Sequence, residues 1–168
     1  IQDHEIEGLD LSSWRMSCNG AEPVNPATIE RFIARFEPYG FRPDAMAPVY
    51  GLAECSVGLT LQPPGRTPII DRVRRGAFMA GGRAEPADAN EANALLFPAC
   101  GQPLPGHQLR IVDDHGRELP ERQEGRLEFQ GPSATAGYYR NPEATQRLFP
   151  YSDDWLDSGD RAYLANGD

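Results

Sequence analysis

Seventeen glycines and sixteen prolines fall in a chain of 168 residues. That is close to a fifth of all positions, where about 12% is ordinary. Long uninterrupted helices cannot survive such punctuation, because glycine weakens a helix interior and proline breaks it. The chain must therefore be built from short strands and many turns, and a helical bundle is excluded. Its 168 residues make about one domain. Apolar residues are 39% and charged residues 24%, enough to bury a core and unlike a disordered composition. Acid outnumbers base by 25 to 16, giving a net charge of −9, and every basic residue is arginine. A broad nucleic-acid face is unexpected on such a surface. No run approaches the roughly 20 apolar residues of a membrane span, and residues 1–20 do not read as a signal peptide. Cys18, Cys55 and Cys100 are far apart, and His4, His107 and His115 are equally scattered. No zinc spacing results, and a reduced, cytoplasmic setting is the default.

The chain divides into three stretches. Residues 1–60 read as α/β. Residues 14–18 form a short strand candidate ending at Asn19-Gly20. Asn25 is an N-cap candidate and Pro26 suits the first helical position. Ile29, Phe32, Ile33 and Phe36 follow at i, i+3, i+4 and i+7, one apolar stripe that Pro38 and Gly40 end. Residues 47–50 read as a second buried strand. Strand, helix, strand suggests a doubly wound sheet, where ligands sit beyond the carboxyl ends of the strands. Residues 61–100 read as an insertion or loop region. In it Arg72, Arg74 and Arg75 are expected as a solvated basic face, and residues 84–94 as a mobile surface excursion. Residues 101–168 read as β, with alternation at Leu109 and Ile111 and at Leu127 and Phe129. A turn at residues 113–116 separates them, and Asn141-Pro142 opens a short helix through about Phe149. Several short antiparallel strands predict a small barrel or sandwich. The chain begins in mid-phrase at Ile1 and stops at the turn-like Asn166-Gly167-Asp168, so a piece of a longer protein is expected.

Three strand-to-loop junctions could carry chemistry. At Cys18-Asn19-Gly20-Ala21-Glu22-Pro23, Gly20 and Ala21 leave the backbone uncovered for a flat ligand edge. At Tyr50-Gly51-Leu52-Ala53-Glu54, a strand-end tyrosine can stack on a planar ring, Gly51 allows a bend, and Glu54 can help to hold Mg²⁺. At Trp155-Leu156-Asp157-Ser158-Gly159-Asp160, Asp160 follows a Ser-Gly turn and can accept hydrogen bonds from both hydroxyls of a ribose. Each has an ordinary reading beside this one: a turn before a helix, a core tyrosine with a surface glutamate, and an Asx turn at a hairpin.

In this order, the motifs resemble those of the AMP-forming adenylating superfamily, which includes acyl-CoA synthetases, luciferases and peptide-synthetase adenylation domains. Tyr50-Gly51-Leu52-Ala53-Glu54 is similar to its Y-G-x-T-E motif and Asp157-Ser158-Gly159-Asp160 to its T-G-D motif. Residues 125–132, GRLEFQGP, resemble G-E-(I/L)-x-x-x-G. Gly137-Tyr138-Tyr139 and Asn141-Pro142-Glu143-Ala144-Thr145 are also family-like. The fatty acyl-AMP ligase branch is resembled in residues 11–15, 19–24 and 50–54, in Asp71-Arg72 and Gly82-Arg83, and in residues 100–106. The long stretch between Glu54 and Gly101 is similar to the insertion typical of that branch. Ala53 stands where most relatives carry threonine, and Ser158 keeps the hydroxyl of the usual threonine.

The resemblance implies part of a doubly wound α/β subdomain followed by a small distorted antiparallel β-barrel. It implies a fatty acid adenylating enzyme: carboxylate plus ATP gives acyl-AMP and pyrophosphate, with transfer to an acyl carrier protein. ATP, a long-chain fatty acid and Mg²⁺ are the implied substrates and cofactor. Glu54 would assist Mg²⁺ as the catalytic residue of this stretch. Gly20, Ala21, Glu22, Tyr50 and Gly51 would frame the nucleotide, Asp160 would hold its ribose, and Cys55, Ser56 and Val57 would border the acyl chain. Cys55 is not read as a nucleophile, since no histidine is near it in sequence. The family's phosphate loop ending P-K, its hinge motif G-R-x-K-D and its catalytic lysine have no counterpart among these residues. An acyl-CoA ligase, with coenzyme A as acceptor, and a degenerate adenylate-binding or interaction module stay open as alternatives.

Overall fold

A computed structural model of the chain describes residues 1–151 and 154–168. Strand β1 (Ser17–Asn19) leads to helix α1 (Pro26–Phe36) and back to strand β2 (Met46–Tyr50). β1 and β2 pair in parallel, Ser17 opposite Met46, so the three elements form one β–α–β unit. The N-cap side chain of Asn25 accepts from the Ala27 amide at 2.9 Å, with Pro26 at the first helical position. The apolar stripe of α1 buries Ile29 and packs with Phe41, Ala45 and Met46, partly joined by Phe32, Ile33 and Phe36. Trp14 is not in a strand. Its ring stands edge-on to Phe41 at 5.6 Å, which pulls residues 14–16 onto this core and leaves the strand only Ser17–Asn19.

Antiparallel strands β3 (Thr60–Leu61) and β6 (Gln102–Pro103) extend the sheet in the order β1-β2-β3-β6. The insertion between them is ordered. Strand β4 (Ile70–Val73), helix α2 (Arg75–Gly81) and strand β5 (Leu95–Pro98) make a hairpin with a helix in its connection. Residues 84–94 run as a mostly exposed excursion without helix or strand, and contacts tie them to this hairpin. Val73 bridges to Pro86, Ala84 is fully buried, and the Ala87 amide donates to the Arg72 carbonyl. Nor are the three arginines simply a solvated face. Arg72 donates to the carbonyls of Ala89 and Glu91, Arg75 to that of Asn93, and Arg74 pairs with Asp88 and Glu91. Guanidinium-to-carbonyl bonds do here what apolar side chains do elsewhere. Phe78 of α2 packs on Phe97 and Tyr163 at 5.2 and 6.1 Å. Arg122 holds Asp71 with its guanidinium, and the Tyr163 hydroxyl donates to the same carboxylate at 2.8 Å. Burial and that carboxylate push the Tyr163 phenol well up.

Strands β7 (Gln108–Val112), β8 (Gly125–Gln130) and β9 (Leu156–Ala162) form a three-stranded antiparallel sheet, with α3 (Pro142–Leu148) beside β9. Phe129, Leu148 and Leu156 share a core with Cys55 and Leu59, which joins this sheet to the first. The sheet is open among the described residues, where the expected barrel would be closed; three strands are too few to close one. The β7–β8 turn is as expected. The Asp113 side chain accepts from the amides of His115 and Arg117, and Arg117 holds its carboxyl down at about 2. No helix among the described residues is long and apolar enough to cross a membrane.

Candidate functional site

The site lies where β2 ends. Gly20 sits beside that end: a Cβ there would stand 2.7 Å from the Val49 carbonyl oxygen. Only a bare backbone lets the chain leaving β1 pass β2 so closely. Ala21 follows with φ +60, and it and Glu22 are exposed. Gly51 stands at the expected bend, and it is needed there for space and not for a left-handed backbone. Its φ is not positive; instead a Cβ would lie 1.8 Å from the Val57 carbonyl oxygen. The chain folds back on itself there through the tight turn Ala53–Cys55 and Ser56, whose φ is +71. Gly51→Ala should therefore displace this turn and lower the melting temperature. Gly76→Ala, in α2 with open space around it, should raise the melting temperature instead. Thermal denaturation of the two variants checks the contrast.

Tyr50 and Asp160 meet. The Tyr50 hydroxyl donates to Asp160 Oδ2 at 2.5 Å across 110 positions of sequence. Burial of the ring, and then this bond, push the Tyr50 phenol well up, so it stays a donor. Asp160 does not follow a hairpin turn. It lies within β9, in a stretch irregular against Arg126–Glu128 of β8, and Gly159 takes φ +78 there. Extra residues in one strand of a pair re-aim a side chain. Ser158 fixes it: its hydroxyl donates to the Leu127 carbonyl at 2.8 Å and accepts from the Asp160 amide at 3.1 Å. That is why a hydroxyl belongs at position 158.

Glu54 is half-buried on the same turn as Gly51. Its carboxylate accepts from the Tyr138 hydroxyl, and its carbonyl accepts from the Thr135 amide at 2.7 Å. The bond to Glu54 raises the Tyr138 phenol. Among the described residues no three His, Cys, Asp or Glu side chains cluster. A single carboxylate suits a hard cation that takes its other ligands from phosphates and water, the habit of Mg²⁺. Cys55, Ser56 and Val57 do not share a surface. Cys55 is 1% exposed within the core, while Ser56 and Val57 face outward, Val57 at 80%. Ser133, Thr135 and Tyr138 were without a role in the sequence reading; only the family-like Gly137-Tyr138-Tyr139 pointed near them.

The joined Tyr50 and Asp160 thus stand at the carboxyl end of the β–α–β unit, with the Glu54 carboxylate on the turn that follows. The chain belongs to the AMP-binding enzyme family, whose pattern matches residues 2–139. It is 35% identical over 162 residues to a medium-chain fatty acid–[acyl-carrier-protein] ligase of Moorena producens, covering 95% of this chain and 27% of that one. It is 34% identical over 142 residues to a long-chain fatty acid–AMP ligase of Mycolicibacterium smegmatis, covering 84% and 22%. Its fold matches a fatty acyl-adenylate ligase of L. pneumophila, solved with acyl adenylate and pyrophosphate, with a TM-score of 0.90 and 32% identity over 99% of this chain and 30% of that one. The chain spans less than a third of the curated relatives it matches.

Proposed function

We propose that this chain is the adenine, ribose and metal side of an ATP-dependent fatty acid adenylating ligase. A carboxylate oxygen of the fatty acid attacks the α-phosphorus of ATP; the bond from that phosphorus to the bridging oxygen breaks, and pyrophosphate leaves with the electron pair. The acyl-AMP then passes its acyl group to a carrier-protein thiol, releasing AMP. Gly20, Ala21 and Glu22 frame the adenine and Tyr50 stacks on it. Asp160 accepts the ribose hydroxyls. Glu54 supplies one hard oxygen ligand to Mg²⁺, whose charge offsets that developing on the phosphates. Holding the two reactants in line supplies much of the remaining acceleration.

The observation that carries this reading is the Tyr50–Asp160 hydrogen bond, which brings two separated motifs to one strand end beside Glu54. The activities of the Moorena producens and Mycolicibacterium smegmatis relatives support the fatty acid and the carrier protein as substrates. The test is isotope exchange between pyrophosphate and ATP in the full-length protein. Exchange that requires a long-chain fatty acid, followed by acyl transfer to a holo carrier protein, is expected. Exchange without any dependence on fatty acid overturns the substrate, and preferential acyl-CoA formation overturns the acceptor. ATP binding with no exchange at all favours the non-catalytic module.

A further inference from the structure

The loop after β8 makes four hydrogen bonds with the Glu54 turn. The Thr135 amide donates to the Glu54 carbonyl at 2.7 Å, and the Ser133 hydroxyl donates to the Cys55 carbonyl at 3.0 Å. The Ser56 hydroxyl donates to the Ser133 carbonyl at 3.3 Å, and the Tyr138 hydroxyl donates to the Glu54 carboxylate itself. Behind Ser133 stands His107, with Nε2 2.7 Å from the Ser133 oxygen. The imidazole fills the space beside Gly131, where a Cβ would be 2.2 Å from the ring. The other ring nitrogen, Nδ1, lies 3.3 Å from the Pro105 carbonyl, so the imidazole is held from both sides, and its tautomer sets which partner of the His107–Ser133 bond donates. The run His107 to Ser133 to Cys55 thus ends on the residue next to Glu54.

The turn needs such support. No side chain caps Ala53–Cys55, and Ser56 sits at φ +71, where a residue other than glycine is strained. Strain of this kind persists only when surrounding contacts over-determine it. We propose that His107, Ser133 and Tyr138 are positioning residues for Glu54: Tyr138 orients its carboxylate, and the His107–Ser133 pair holds the turn that presents it. The inference rests on the reading of Glu54 as a Mg²⁺ ligand. Partners of metal ligands commonly change metal affinity or activity about 10- to 100-fold when removed.

The experiment uses the full-length ligase with Mn²⁺ as the spectroscopic probe. Mn²⁺ affinity in the presence of ATP is read by electron paramagnetic resonance, beside kcat and the KM for ATP. Tyr138→Phe removes one exposed hydroxyl and leaves folding alone. It should weaken Mn²⁺ and lower kcat about 10-fold or more, with the ATP KM unchanged once Mn²⁺ is saturating, because Tyr50 and Asp160 are untouched. His107→Ala should act in the same way. His107→Gln, whose amide can still hydrogen-bond to Ser133, should restore most of the loss. Wild-type Mn²⁺ affinity and kcat in both Tyr138→Phe and His107→Ala overturn the inference. So does a loss in His107→Gln equal to that in His107→Ala, since the hydrogen bond to Ser133 would then not matter. Glu54→Gln separates the two ideas: if it leaves Mn²⁺ affinity intact, the metal reading of Glu54 fails, whatever the other variants do.

Discussion

Asp160→Ala in the full-length protein is expected to weaken ATP and acyl-adenylate by about two to four powers of ten. In the proposed role of Asp160, two charge-assisted hydrogen bonds to the ribose would be lost, each worth roughly 1.5–3 kcal/mol, at about 1.4 kcal/mol per tenfold. Folding should change little, because the Asp160 side chain lies at an exposed position of β9. The Tyr50 bond adds a graded companion. Tyr50→Phe keeps the ring for stacking but frees the carboxylate to swing, so it should lose about tenfold or less. Asp157→Ala separates binding from scaffolding. Asp157 holds Arg126 and the Gly159 amide, so its loss should cost stability more than affinity. The decisive ligand is 2′,3′-dideoxy-ATP. It should bind the wild type poorly and lose little more in Asp160→Ala, since both changes delete the same contacts. Simple addition of the two losses would remove Asp160 from the ribose.

Local signals in the sequence were enough where the local chemistry decides the structure. The Asn25 cap and the apolar stripe from Ile29 to Phe36 made α1 legible, and the strict alternation around Leu109 and Phe129 did so for β7 and β8. Helix α2 escaped because Gly76 and Gly81 occupy two of its seven positions and Arg74 offers no capping oxygen. What holds it is Phe78 on Phe97 and Tyr163, a contact between distant segments. Gly159 misled for a physical reason: positive φ serves a bulge as well as a turn, and the flanking residues do not distinguish them. The contacts that tie down residues 84–94 were not legible, because an apolar count ignores carbonyls, and Arg72 bonds two of these. The site divides in the same way. Tyr50, Glu54 and Asp160 stand in motifs, whereas Tyr138 reaches Glu54 across 84 positions and Ser133 reaches Cys55 across 78. No spacing rule spans such separations, so the partners of the acid became visible only in three dimensions.

Glu128→Ala should be the most damaging single change to the fold. Glu128 is fully buried within β8, with Arg110 Nη2 at 2.6 Å from one oxygen and Arg126 Nη2 at 3.6 Å from the other. Arg126 also reaches Asp157 and donates to the Tyr151 hydroxyl at 2.9 Å, and Arg110 lies 4.3 Å above the Trp155 ring. The carboxylate thus ties β7 to β8 and both to the segment that carries Asp160. Taking away one member of a buried pair leaves an uncompensated charge and costs about 3–5 kcal/mol. That is a large part of the roughly 5–15 kcal/mol that holds a typical domain together. Asp44→Ala, which breaks the more exposed pair with Arg42, should cost about 1 kcal/mol or less. Urea denaturation followed by tryptophan fluorescence gives the comparison, because Trp155 lies against Arg110. A second substitution sharpens it. Replacing Glu128 by leucine and Arg110 by methionine together removes charge on both sides of the contact, so much of the loss should return. If Glu128→Ala unfolds no more easily than Asp44→Ala, the buried carboxylate is not what fastens β7 to β8. If the double replacement is as unstable as Glu128→Ala, the damage comes from lost packing and not from an unpaired charge.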